Sequence, residues 1–438
     1  VLSSIAGGAA GNVADGSDYC SDVTKYNQYD FLIDLKRILI LFDIYRDKFF
    51  SNHIYKKPFL FKNIVSDIDL SWKDISEMYE RADASDPSFK LMNGHEVPKS
   101  KYLESYINVG RVEYRYIKPV IYDYMRNGAT LVYNRIRNEP FISNISREIA
   151  NFAQAQVITS GYAAFSAKPS YRCHWDTRDV FAVQLKGRKR WILKEPTFKL
   201  PLYMQQTKDM PDAEEPEEVY LDVVLEEGDI LYVPRGWWHN PIPMGEETFH
   251  LAVGTFAPTG FDYINWLIRK APNIIDGRHN LHGFQESKKL LDRFGKEFAL
   301  LMSDESTYEQ FMEDYIGQHR VDSPISLGTL ANGKISQLEM TQRIRLNVNL
   351  LYPFSNNFVI VNGNKINLDE ISQKLINYIN KHQACTISDV LSVFSNYPRN
   401  KLHELLFQLA LNDVLELISV SDSVVIGSED NNATLNMV

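Results

Sequence analysis

Glu227-Gly228-Asp229-Ile230-Leu231-Tyr232-Val233-Pro234-Arg235-Gly236-Trp237-Trp238-His239 reads as four pieces. Gly228-Asp229 is a turn and Ile230–Val233 a short apolar strand. Pro234 to Gly236 is a second turn, and His239 stands at the start of another strand. Outward from this stretch, residues 156 to 256 carry more of the same. Val157–Thr159, Phe181–Leu185, Arg190–Leu193, Val219–Val224 and His250–Phe256 are β-rich runs separated by turns with Gly or Pro. Many short strands at this spacing predict an all-β barrel or sandwich.

The sharpest chemical signal lies 65 residues before His239, in Cys173-His174-Trp175-Asp176-Thr177. On one strand, positions i and i+2 point to the same face. His174 and Asp176 can then grip one ion with Trp175 turned away, and a returning strand can supply His239. Two imidazoles and one carboxylate on one side of a metal are the facial triad of non-haem Fe(II) oxygenases. Three positions stay open, enough for a bidentate oxoacid and O₂. A His-x-Asp tripeptide alone is common and mostly binds nothing; the surrounding β-rich pattern and the third histidine raise its value.

Composition bounds the remaining readings. The chain has 438 residues, 44% hydrophobic and 24% charged, enough for a sizeable core and roughly two to four domains. With 47 basic against 56 acidic residues the formal charge is −9. That argues against wrapping duplex nucleic acid, which needs a basic surface. Cys20, Cys173 and Cys385 are too scattered for a disulfide framework, so a reducing, cytoplasmic setting is expected. No apolar run approaches a membrane span. Residues 1–29 are rich in Gly, Ala and Ser at their start and lack a signal-peptide pattern; they read as a flexible leader.

Phe31–Phe50 has helical spacing through Leu32, Leu35, Ile38, Leu39 and Phe42. Tyr55 to Phe61 is short and extended, closed by Asn63 and Asp67. Ser71–Arg81 reads as a helix capped by Ser71, Gly128–Asn134 as strand-like and Ile142–Ala155 as a helix. From Phe261 to about Tyr315 the pattern is helical, with an apolar stripe at Leu290, Leu291, Phe294 and Phe298. A break with Pro324 and Gly328 follows. The last segment offers strand-like Phe358–Val361, a helix Ile371–His382, a short helix after Thr386 and a helix Asn400–Leu411. Strand-like Val414–Ser419 and Ser423–Ile426 complete it, in a winged-helix order. From Ala331 to Val438 there are 8 Lys and Arg against 10 Asp and Glu, too few cations for a phosphate-binding face. The segment reads as a protein-interaction or structural module. Asp212–Glu218 is a solvated acidic loop.

Taken together, several of these motifs resemble the JmjC-type cupins, Fe(II)- and 2-oxoglutarate-dependent oxygenases, and most of all their ribosomal-oxygenase branch. They are Tyr55–Phe61, Gly128–Arg135, His174-Trp-Asp, Val180–Trp191, Gly228–His239 and Phe249–Val253. The likeness covers roughly Phe49 to Phe256 and extends loosely beyond. It implies an α+β chain. The core is a double-stranded β-helix of jelly-roll/cupin type over 30–258, with N-terminal helices. A helical dimerisation region over 259–329 and a winged-helix-like domain over 330–438 follow. It implies His174, Asp176 and His239 as metal ligands. It also implies that Lys189, 15 residues after His174, pairs with the distal carboxylate of 2-oxoglutarate. Ser160 and Tyr162 match positions that hydrogen-bond the cosubstrate, although Tyr162 reads equally well as a core aromatic. Strand alternation sends Arg188 and Arg190 to the face opposite Lys189. His250 is marked near the metal but outside the triad, and reads best as a buried, hydrogen-bonded histidine.

One departure is visible. The loop Phe165–Cys173 has no glycine, and it places Lys168, Tyr171 and Arg172 at the pocket mouth. The functional expectation is hydroxylation of a protein or peptide side chain by a homodimer without nucleic acid. The rivals are lysine demethylation or small-molecule oxidation with the same cofactors, and a non-catalytic cupin scaffold. Four groups at working spacing speak against a retired site.

Overall fold

The computed structural model describes residues 39–66, 68–320, 325, 327, 338–347, 357–382 and 385–418. The expected leader, most of the break around Pro324 and Gly328, and the strand expected at Ser423–Ile426 lie outside them.

Two antiparallel sheets face each other. The larger has seven strands in the order Phe59–Phe61, Ile230–Val233, Asp179–Lys186, Thr248–Phe256, Gln156–Ala164, Thr130–Tyr133, Phe89–Met92. The smaller has three, Leu221–Leu225, Lys189–Lys194 and Trp238–Pro243. Asp179–Lys186 and Ile230–Val233 are buried on both faces, and their alternation serves two cores. Phe181, Val183, Leu185, Ile230 and Tyr232 point outward to the helices, while Ala182, Leu231 and Val233 point inward between the sheets with Trp191, Leu193 and Trp237. This is a cupin-like antiparallel core with helices packed against it.

The outward face is covered by an aromatic layer. Phe42 stacks on Phe152 with centroids 4.1 Å apart, and Phe49 packs edge-on to Tyr232 at 4.9 Å. Phe152 comes from the helix Pro140–Ala153, which ends where Gln154 turns left-handed. Helix Trp72–Arg81 begins at Ser71 as expected, with a full capping box to Asp74. The expected helix over Phe31–Phe50 is corrected: residues 31–38 are not described, Leu39–Ile40 is extended and pairs with Val65–Ser66, and Phe42–Tyr45 is a 3₁₀ turn. Only Arg46–Asn52 is α-helical. The apolar residues there serve a strand edge and the aromatic layer, and tertiary burial overrides the helical spacing. A helix at Lys118–Arg126 and the hairpin Leu103–Asn108/Arg111–Tyr116 were not anticipated.

Beyond the sheets, the expected helical stretch is three helices, Gly260–Ile268, Phe284–Met302 and Glu305–Gly317. Helices Glu370–Lys381, Ile387–Val393 and Arg399–Leu411 share a separate core with the strands Arg343–Leu346, Cys385–Thr386 and Leu415–Ile418. Among the described residues no helix is long and apolar enough to cross a membrane.

Candidate active site

Between the two sheets lies a cavity, part of it open to solvent. Its position follows from alternation. Lys189 and Trp191 point into it from one strand of the small sheet, and His239, Pro241 and Pro243 from the neighbouring one. Tyr162, Val180, His250 and Ala252 face them from the large sheet.

His174, Asp176 and His239 meet at one end. Their ligand atoms all lie within 4.8 Å of one another. His239 Nε2 is 3.8 Å from Asp176 Oδ2, and the two imidazole centroids are 4.4 Å apart. The tripeptide does not sit on a ladder strand, which corrects the sequence expectation: residues 171–178 are irregular, and His174 makes a single antiparallel bridge to His239. That bridge, with His239 N–H donating to His174 O at 2.8 Å and the reciprocal bond at 3.2 Å, is what carries the two histidines together.

Both rings are oriented by the backbone. His174 Nδ1 lies 2.8 Å from Arg172 O, and His239 Nδ1 lies 3.0 Å from Trp237 O. A carbonyl oxygen only accepts, so each Nδ1 carries the proton and each Nε2 presents a lone pair to the site. Burial lowers the His239 pKa to about 4, and nearby His174 adds to the effect. Burial alone would raise the Asp176 pKa, but Arg178, His239 and His174 hold the carboxyl below its usual range. Two neutral imidazoles and one ionised carboxylate are the donor set a divalent first-row metal prefers.

Lys189 closes the other end. It is buried, while Arg188 and Arg190 point outward to Glu246 and Asp222, as alternation requires. Its own strand, Lys189–Lys194, is not the next one after the His-x-Asp segment but the second, because Asp179–Lys186 intervenes. Burial lowers its ammonium pKa to about 7. Its Nζ donates to His250 Nδ1 at 3.2 Å, so His250 is a buried, hydrogen-bonded histidine in the cavity wall. Burial, then Lys189, keeps that imidazole neutral. Tyr162 stacks on His250 with centroids 4.9 Å apart and lines the cavity. Burial raises its phenol pKa to about 12. Ser160, one step of alternation away and buried, does not reach the cavity wall.

Tyr171, expected at the pocket mouth, lines the wall, and three further wall residues had no sequence assignment toward this chemistry. Tyr171 stacks over His174 at 6.0 Å. Thr130 and Ser170 share a buried hydroxyl pair. Trp191 contributes an indole N–H with no hydrogen-bond partner among the described residues. Its place two residues after Lys189 on one face was the available signal. A buried cation whose hydrogen-bond partner among the described residues is a neutral imidazole, and a donor in the same wall with none among them, fit an anionic oxygen-rich ligand.

Similarity to known proteins agrees with this geometry. The JmjC domain family matches residues 131–263. Over 103 residues the chain is 34% identical to the bifunctional lysine-specific demethylase and histidyl-hydroxylase NO66 of Drosophila yakuba. That is 23% of this chain but 15% of the relative's length. The crystal structure of the Escherichia coli ribosomal oxygenase YcfD superposes over 87% of this chain and all of its own, with a TM-score of 0.55 and 16% identity. YcfD in complex with cobalt and 2-oxoglutarate superposes over the same shares, with a TM-score of 0.53 and 16% identity. At that identity the likeness is one of fold. The His-Asp-His cluster lies inside the matched segment, and the chain therefore carries a JmjC domain at residues 131–263.

Proposed function

We propose that this protein is an Fe(II)- and 2-oxoglutarate-dependent oxygenase that hydroxylates a side chain of a protein or peptide. One observation carries the reading: two Nε2 lone pairs and a carboxylate converge at one end of a cavity whose wall also holds a buried lysine with no carboxylate partner among the described residues. His174, Asp176 and His239 would hold the metal from one side, leaving the remaining positions toward the cavity. Lys189 would donate to the distal carboxylate of the oxoacid. Val180, Val233, Pro241 and Pro243 keep the walls apolar. When bound, iron and 2-oxoglutarate supply the oxidising chemistry. The protein supplies ligand geometry, a largely dry wall and substrate placement, and no side chain has to act as a general base. The fold shared with YcfD, which binds cobalt and 2-oxoglutarate, supports the assignment.

The test is succinate release from 2-oxoglutarate with added Fe(II). Wild-type protein should turn over, and His174→Ala or Asp176→Ala should abolish turnover with an unchanged circular dichroism spectrum. Full activity in either variant removes the triad assignment. A second reading, demethylation of methylated lysine, is favoured by the relative's double name. Mass spectrometry of partners captured by His174→Ala separates the two. A hydroxylase adds one oxygen when active enzyme is restored, whereas a demethylase removes a methyl group and releases formaldehyde. We infer also a homodimer in a cytoplasmic setting, independent of nucleic acid. The stripe Leu290, Leu291, Phe294 and Phe298 is only half-buried in one chain, as a face kept for a second copy would be.

A further inference from the structure

The segment that carries two of the three candidate ligands belongs to no sheet, so its backbone must be held by other means. His174 N–H and C=O are both taken by the backbone of His239. Asp176 C=O accepts from Gly236 N–H at 3.0 Å. Trp175, between them, is held by a side chain. Its N–H donates to Thr207 Oγ1 at 2.9 Å, and the same hydroxyl donates to Trp175 C=O at 3.0 Å. One hydroxyl thus satisfies both backbone groups of the middle residue, as a neighbouring strand would.

Thr207 is presented by a strap that links Lys189–Lys194 to Leu221–Leu225 and lies across the back of the ligand segment. Trp175 is buried under it, with its ring edge-on to Trp238 at 4.7 Å and facing Phe198 at 6.2 Å. Its indole N–H donates to Gln205 O at 3.0 Å. Trp238 in turn donates to Thr197 Oγ1 at 3.0 Å. Gly236, at φ +87, lets the strap approach: a Cβ there would stand 2.8 Å from Phe198 O and from Pro201 Cδ. The first half of the strap, Thr197 to Thr207, is therefore packed against Trp175 and against the Gly236–Trp238 turn.

We propose that Thr207 is a positioning residue of the metal site, acting through the Trp175 backbone to fix the spacing and direction of His174 and Asp176. This rests on the triad reading above. Partners that orient metal ligands cost about 10–100-fold in metal affinity when removed, and here one hydroxyl orients two ligands through the residue they share.

The experiment titrates the full chain with Co(II) and follows its visible absorption. Thr207→Val, of nearly the same shape, should bind Co(II) at least about tenfold more weakly, with an altered absorption band. Thr207→Ser keeps the hydroxyl and should restore both. Thr207→Val binding like wild type with an unchanged band overturns the proposal alone. So does Thr207→Ser binding as poorly as Thr207→Val, since the methyl group would then be what matters. A wild-type chain that takes up no Co(II) overturns the triad reading and this proposal with it. Thr207→Ala is carried in parallel in case Thr207→Val does not fold. If both lose the near-ultraviolet dichroism that Thr207→Ser retains, the hydroxyl serves the fold as a whole and its assignment to the metal site is wrong.

Discussion

Lys189 is a cation stripped of water, with a neutral imidazole as its partner. A carboxylate arriving at its Nζ relieves that burial, so the oxoacid should bind through it. Lys189→Ala should weaken 2-oxoglutarate binding by about 1.5–3 kcal/mol, the worth of one charge-assisted hydrogen bond. Arg188→Ala should do far less, because Arg188 is exposed and paired with Glu246 at 2.9 Å. Calorimetric titration checks both, and equal effects would contradict the register. The same residue sets a pH dependence. With the ammonium pKa lowered to about 7 by burial, oxoacid binding above that value must take up a proton, so affinity should fall as pH rises. Stability without ligand should move the other way. The unfolded lysine titrates near 10.5, so between pH 7 and 10.5 the unfolded chain holds the extra proton and stability rises with pH. A Lys189→Met variant should lose that slope in thermal melts.

At the scale of elements, the register of Lys189–Lys194 depends on the turn at Gly187-Arg188. Gly187 has φ +59, and a Cβ there would stand 2.0 Å from Glu247 O, a backbone atom that cannot step aside. Its N–H donates to Glu227 Oε1 at 2.8 Å. Gly187→Ala should cost more than about 1 kcal/mol in urea unfolding. It should also weaken oxoacid binding, because a one-residue slip would turn Lys189 outward. Gly295 makes the contrast. It lies within helix Phe284–Met302 with nothing within 4 Å of a built Cβ, so Gly295→Ala should stabilise by up to about 1 kcal/mol.

Across the whole molecule, the C-terminal module is joined to the cupin-like core by a buried charge cluster. Glu416 accepts from Arg345 Nη2 at 2.8 Å and from Arg147 Nη2 at 2.6 Å, and Arg345 Nη1 donates to Asn144 Oδ1 at 3.0 Å. Asn144 and Arg147 belong to helix Pro140–Ala153, which packs on the strand carrying Tyr162. Glu416→Ala leaves two arginines close together without their shared anion. It should destabilise the protein by about 3–5 kcal/mol, read as a lowered melting temperature in calorimetry. For the proposed dimer, light scattering at micromolar concentration should give about twice the 50.5 kDa chain mass. Leu291→Asp with Phe298→Asp should yield monomer. A wild-type monomer across dilution would remove the dimer and leave the catalytic reading intact.

What could be read from residue order was local. Alternation placed Lys189 inward and Arg188 and Arg190 outward, and turn residues marked most strands of the two sheets, though not the edge strand Phe89–Met92. Ser71 and Thr386 announced helix starts that carry full capping boxes. Each depends on backbone geometry over a few residues, which side-chain type dictates directly. The tertiary structure decided which distant backbone groups meet. Leu39–Ile40 is extended despite helical spacing because Val65–Ser66 offers an edge. Hairpin 103–116 escaped notice because most of both its strands is solvent-exposed, leaving no apolar alternation to read. Ser160 stops short of the cavity that Tyr162 lines. Thr207, 32 residues beyond Trp175, gave no signal at all: a hydroxyl that binds backbone needs no particular residue type opposite it, so only packing of the closed chain brings the two together.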